Sequence, residues 1–175
     1  ALPAEVQAVA NDLDQSRTLA IPGATLRIGR LGTRTALIGT TGVGKVNAAI
    51  ITAAILEHWS IAQVWNIGSA GTFDPSTLAV GDVLIANQLI FGDEGVISRA
   101  GIQSAAAIGI PLGEKDGVAY YDSLSLHTDR LLQQVAVQLP PARYSAGDTA
   151  DQLHEDFQLV YGPSLTVGMV SGDPW

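Results

Sequence analysis

Two rhythms of apolar and polar positions run through the chain. From Ala4 to Leu13 apolar residues fall at Val6, Val9 and Leu13 with polar ones between, the 3.6-residue spacing of an amphipathic helix. Ala24 to Ile28 and Thr35 to Ile38 alternate or run apolar around Leu31-Gly32 and predict two strands joined by a turn. The second strand leads into the glycine-rich Gly39 to Lys45, after which the Ala- and Ile-rich Val46 to His58 predicts a buried helix. Ile61 to Ile67 reads as an inner strand ending in Gly68-Ser69-Ala70-Gly71, and Val83 to Phe91 as another. From Gly92 to Asp122 glycines, Pro111 and charges break every periodic stretch, predicting a long excursion of the kind that carries function. Leu124 to Leu139 returns to helical spacing before Pro140-Pro141, and Leu165 to Val170 reads as a last strand. Strands alternating with helices predict an α/β domain: a three-layer sandwich whose central sheet is mixed and mostly parallel, flanked by helices. Neither a repeat nor a linker interrupts residues 1–175, so a single domain is expected.

Composition narrows the chemistry. A net charge of −8 is the wrong sign for a nucleic-acid surface, which needs clustered Lys and Arg. No apolar run approaches the roughly 20 residues that span a bilayer, and Ala1 to Gln15 has no basic leader region. With no cysteine, a disulfide framework, a thiol nucleophile and a thiolate metal site are all excluded. His58, His127 and His154 lack metal-ligand spacing, so neither metal nor cofactor is expected. Small-molecule chemistry in the cytoplasm fits this balance.

Gly39 to Lys45 invites comparison with a nucleotide-binding P-loop, but Val46 stands where that pattern requires Ser or Thr. A glycine turn entering a helix still presents amide groups to a polar ligand, or is a plain strand-to-helix turn.

Five collinear segments decide more than any one of them. Thr41-Gly42-Val43-Gly44-Lys45-Val46-Asn47-Ala48-Ala49 resembles the T/S-G-I-G-K-V-x-A-A stretch of methylthioadenosine/S-adenosylhomocysteine nucleosidases. Asn66-Ile67-Gly68-Ser69-Ala70-Gly71, followed by Leu78-Ala79-Val80-Gly81-Asp82-Val83, resembles their N-T-G-S-A-G-G and L-x-V-G-D-I-V motifs. Ala1-Leu2-Pro3-Ala4-Glu5-Val6 resembles the A-M-E-x-E-V that opens their first helix, and Val170-Ser171-Gly172-Asp173-Pro174-Trp175 resembles V-S-G-D-x-F. Phe91-Gly92-Asp93-Glu94-Gly95-Val96, with Gly109-Ile110-Pro111-Leu112, looks more like futalosine hydrolase. The chain thus resembles the nucleoside phosphorylase and nucleosidase superfamily.

That resemblance implies hydrolysis of the N-ribosidic bond of a purine nucleoside of the futalosine or the methylthioadenosine/S-adenosylhomocysteine type, with Phe91 to Val96 and Gly109 to Leu112 favouring futalosine and Ser171-Gly172-Asp173 the other. It makes Glu5 the carboxylate that orients the attacking water, where an oxocarbenium-like transition state calls for nearby negative charge. The plain alternative is a solvated acid favoured by the helix dipole. It assigns Ser69, Ala70 and Gly71 to the wall of the base and ribose pocket, with Thr41 and Gly42 beside them, and Trp175 to stacking on the purine. Asp93 and Glu94 lie in a segment suited to meet the substrate's 5′ substituent or the dimer partner, and fit equally well as solvated loop acids.

Relatives begin with a strand before A-M-E-x-E-V and continue beyond V-S-G-D-x-F into segments whose acids hold the ribose and protonate the departing base. The resemblance therefore implies that these 175 residues are an internal portion of a longer protein, which works as a homodimer. Two other readings stay open. A phosphorolytic enzyme would need arginines converging on phosphate, and Arg17, Arg27, Arg30, Arg34, Arg99, Arg130 and Arg143 all lie outside the glycine turn and the Ser69 motif. A non-catalytic nucleoside-binding or storage protein would use the same fold.

Overall fold

The computed structural model describes residues 2–73, 78–131 and 157–168. The chain falls into two compact units, Ala1–Gly71 and Thr72–Trp175.

The first unit opens with helix α1 (Pro3–Asn11), whose inward residues Val6 and Ala10 are buried together with Leu13 just beyond it. Pro3 suits the first helical position because its missing N–H has no intrahelical partner there. Three strands follow, β1 (Asp14–Ile21), β2 (Ala24–Leu31) and β3 (Arg34–Gly39), forming an antiparallel sheet in that order. Strand β1 has no counterpart among the sequence expectations. Its first half, Asp14 to Arg17, is polar, and a register irregularity with Gln15 at a positive φ spoils the alternation. It becomes a strand by pairing with β2. Leu26 of β2 is the fully buried centre of this unit, and its cross-strand neighbour Gly39 leaves the room it occupies: a methyl group on Gly39 would stand 2.3 Å from Leu26 Cδ2.

Helix α2 (Lys45–His58) begins one residue before the expected start. It is not the buried helix its composition predicts. Only Ile51 is buried, seated over Gly23 at the β1–β2 turn, while Val46 and Ile50 are 71% and 59% exposed. A helix apolar on every side has no face that must turn outward, so its pattern sets no limit on how much of it packs. Nor is Ile61 to Ile67 a strand: residues 61–71 carry neither helix nor strand, and Val64 and Trp65 are exposed. An apolar, β-branched run supplies strand propensity, but a strand exists only where a ladder partner lies alongside.

In the second unit β4 (Val83–Phe91), as expected, is the middle of a mixed three-stranded sheet. Two hairpins, β5 (Val96–Ser98) with β6 (Gly101–Gln103) and β7 (Gly113–Lys115) with β8 (Val118–Tyr120), and a 3₁₀ turn at Ala105–Ile108 occupy the expected excursion. Strand β9 (Ser123–Ser125) runs antiparallel to β4, and β10 (Leu159–Thr166) runs parallel to it. Two boundaries are corrected. Leu124, expected to open a helix, pairs with Leu89 on β9, and residues 132–139 of that expected helix lie outside the described residues. The last strand starts at Leu159, six residues earlier than expected, and shifts register at Pro163, which has no N–H for the ladder.

Asp82 joins this sheet together. One carboxylate oxygen accepts the amide of Ala79 at 2.7 Å and the other the amide of Gln158 at 2.8 Å, while Val83 N–H donates to Gln158 O at 2.9 Å. The acid before β4 thus sets where the parallel strand begins. The α/β class with a mixed sheet is as expected; among the described residues β4 with β10 is the parallel pair. No helix among them is long and apolar enough to cross a membrane.

Candidate active site

Glu5 is the third residue of α1, the position from which a carboxylate reaches back to the residue before the helix. Its Oε2 accepts the amide of Leu2, an N–H the helix itself leaves without a partner, and Glu5 N–H donates to Leu2 O at 3.1 Å. The other oxygen, Oε1, faces a different part of the chain. It accepts Ser69 N–H at 2.8 Å and Ser69 Oγ–H at 2.6 Å, from 64 residues away in sequence. Gly68 permits that approach: a methyl group there would lie 3.2 Å from Oε1.

Three donors on one carboxylate favour its charged form. The Ser69 hydroxyl contributes most, followed by the Ser69 and Leu2 amides, and together they hold Glu5 at about 2, against an ordinary value of 4.5. Glu5 is therefore an anion at any physiological pH. So acidic a group is a poor base toward free water, since proton transfer is most effective when the pKa lies near the working pH. It is a good fixed negative charge, able to orient a water and stabilise positive charge at a sugar carbon.

The other expected residues fall into a second group and a remainder. Thr41 and Gly42 line a concave cavity of about 710 Å³ with Thr25, Thr40, Asn47 and Ile51. Glu5 and Ser69 are not among its lining residues. Ala70 and Gly71 follow Ser69 as exposed chain, with open space around the Gly71 α-carbon. Trp175 lies outside the described residues. Two contributors were not singled out from the sequence. The Leu2 amide was legible in principle, because Glu at the third helical position signals a capping box, but an apolar residue replaces the usual Ser or Thr before the helix. Asn47, which donates to Val43 O at 2.8 Å, occupies a position the motif leaves open.

A sequence model described as "Phosphorylase superfamily" matches residues 1–174. The chain belongs to the phosphorylase superfamily. Within it the chain is 30% identical over 181 residues to a 5′-methylthioadenosine/S-adenosylhomocysteine nucleosidase of a Geobacillus species, covering 99% of this chain and 64% of that protein. It is 38% identical over 96 residues to a Marinomonas protein of the same name, covering 55% of this chain and 41% of that one. Among solved structures it is similar to a nucleosidase of the same kind from Colwellia psychrerythraea in complex with adenine, with a TM-score of 0.71 and 24% identity over 97% of this chain and 60% of that one. A Streptococcus pneumoniae nucleosidase with a transition-state inhibitor aligns with a TM-score of 0.69 at 24% identity, covering 97% of this chain and 62% of that one. This superfamily chain thus spans less than two thirds of the length of each of these relatives.

Proposed function

We propose that the protein to which this chain belongs is a purine nucleosidase, cleaving the N-ribosidic bond of a methylthioadenosine or adenosylhomocysteine type of nucleoside with water. The contact between Glu5 and Ser69 carries the reading. Two motifs far apart in sequence, each assigned to the active site by resemblance, meet through two hydrogen bonds. The names of the relatives support the substrate class.

In this reading the bond from the ribose anomeric carbon to the purine nitrogen lengthens first, leaving positive charge on the sugar and an electron pair on the base. Glu5, kept ionised by Ser69 and Leu2, stabilises that charge and aims a water at the anomeric carbon. As the water oxygen bonds to carbon its protons become acidic, so a weakly basic carboxylate suffices to accept one late in the step. The departing nitrogen takes up one proton from a general acid of the full-length protein or from solvent, and Glu5 returns the proton it accepted to solvent, so that the net change is one water added across the broken bond. Thr41, Gly42, Ala70, Gly71 and Trp175 are proposed as contacts to the nucleoside, and both units as parts of one domain, which the continuous superfamily match across them supports. A cytoplasmic homodimer completes the reading. Exposed apolar residues of α2, Val46 and Ile50, support the dimer.

The test is release of free base by the full-length protein, followed by chromatography, from methylthioadenosine, adenosylhomocysteine and futalosine, with and without phosphate, against Glu5→Gln. Phosphate-independent release that falls on the order of 10²–10⁴-fold in Glu5→Gln is expected. Strict dependence on phosphate would make the protein a phosphorylase. Nucleoside binding without any release would leave a binding protein on the same fold.

A further inference from the structure

The turn that feeds α2 is pinned by a side chain of the helix it feeds. Gly42 and Gly44 both adopt left-handed backbone angles, φ +75° and +102°, so Val43 sits between two joints of low torsional resistance. In a continuing helix Val43 O would accept the backbone amide four residues on, but the angle at Gly44 breaks that pattern, and the first helical bond runs from Ala48 N–H to Gly44 O at 3.1 Å. The Asn47 side chain substitutes for it, its Nδ2 donating to Val43 O at 2.8 Å. A second tie closes the preceding peptide, where Thr41 Oγ donates to Gly42 O at 3.2 Å. Asn47 also lines the cavity that Thr41 and Gly42 border.

We infer that Asn47 is a positioning residue for substrate binding: its amide holds the Thr41-Gly42-Val43-Gly44 turn in the shape that borders the cavity, and so sets substrate affinity rather than the chemical step. Two adjacent glycine joints have many arrangements, and a turn that must be ordered on binding weakens affinity by the entropy it loses. A turn already held by a side chain avoids that loss. The inference rests on the nucleosidase reading, in which Thr41 and Gly42 touch the nucleoside.

The experiment compares Asn47→Ala and Asn47→Asp in the full-length protein by steady-state kinetics on methylthioadenosine, amide hydrogen exchange of residues 42–44, and thermal unfolding. Asn47 is the third residue of α2, where an acid is favoured by the helix dipole. Asp therefore supports the helix start while lacking the donor. The expected result is a KM raised about 3–10-fold in both variants, the worth of one neutral hydrogen bond, with kcat within about twofold of the parent. Faster exchange at Val43 and Gly44 should accompany it in both, with thermal stability of Asp at or above that of Ala. If Asp restores the parental KM, Asn47 acts only by starting the helix and the inference fails. Unchanged KM and exchange in Asn47→Ala overturns it as well. If the parent releases no base, the nucleosidase reading falls and takes the affinity claim with it. If the parent turns over normally and the variants match it, only the pin falls.

Discussion

Ser69 gives both its amide and its hydroxyl to a single oxygen of Glu5, at 2.8 and 2.6 Å. Hydrogen bonds to a charged acceptor are stronger than neutral ones, and two from one residue also set the direction of the carboxylate. Orientation and ionisation of Glu5 therefore share one cause.

Replacing Ser69 by Ala removes the donor that lowers the Glu5 pKa most and leaves both amides in place. The Glu5 pKa should rise from about 2 part of the way toward 4.5, read from the carboxyl carbon shift in an NMR titration. The acid limb of base release should move upward with it. A titration identical to that of the parent would show that the hydroxyl does not control the charge.

Glu5 also predicts a stability profile in acid. Its folded pKa of about 2 lies below the ordinary 4.5, so its stabilising contribution is fully present above pH 4.5 and disappears as pH falls through about 2. Urea midpoints of the parent and Glu5→Gln should differ by a constant amount above that window and converge within it. Because the carboxylate is exposed, added salt should narrow the gap. A gap that widens in acid would contradict the assigned direction.

Leu26 and Gly39 form a cross-strand pair in which one side chain fills the space the other leaves. Leu26→Ala should destabilise by about 2–5 kcal/mol, as expected for a fully buried leucine. Gly39→Ala should cost about 1–3 kcal/mol by overpacking. Combined, the two should cost clearly less than their sum, because the new methyl enters the space Leu26 vacates. Simple additivity in denaturant unfolding would mean that the residues do not share that space.

Asp82 stands in a stretch that resembles a family motif, and the structure gives it a structural task, accepting Ala79 N–H and Gln158 N–H on its two oxygens. Asp82→Ala should destabilise by about 1–3 kcal/mol. Amide exchange should rise at Gln158 and along the start of β10, with less effect on the β1–β2–β3 sheet. Uniform exchange over the whole chain would argue against a local role.

Some of this was visible in local patterns. The period of α1 reports its buried Val6 and Ala10, and the apolar stretches of β2, β3 and β4 each found a ladder partner alongside. Strand β1 was hidden because its first residues are polar and irregular, and the supposed strand at Ile61 to Ile67 was misread because apolar composition does not reveal whether a neighbour is present. Leu124 shows the same limit in reverse: helical spacing around it yields to pairing with Leu89.

For the candidate site, the sequence by itself determined which residue types stand ready. It put Glu5 in the first turn of a helix and Ser69 beside a glycine in a motif of small residues. Through resemblance it also determined the chemistry to look for, because segment order survives in the chain as text. Only the tertiary structure decided that these two side chains meet, that the meeting keeps Glu5 ionised down to a pH of about 2, and that Asn47 holds Val43 O while Asp82, in the second unit, holds the amides of Ala79 and Gln158. The physical reason is range. Periodicity and capping arise between residues within a few positions of each other, whereas a hydrogen bond across 64 residues depends on where the intervening strands and turns carry the chain.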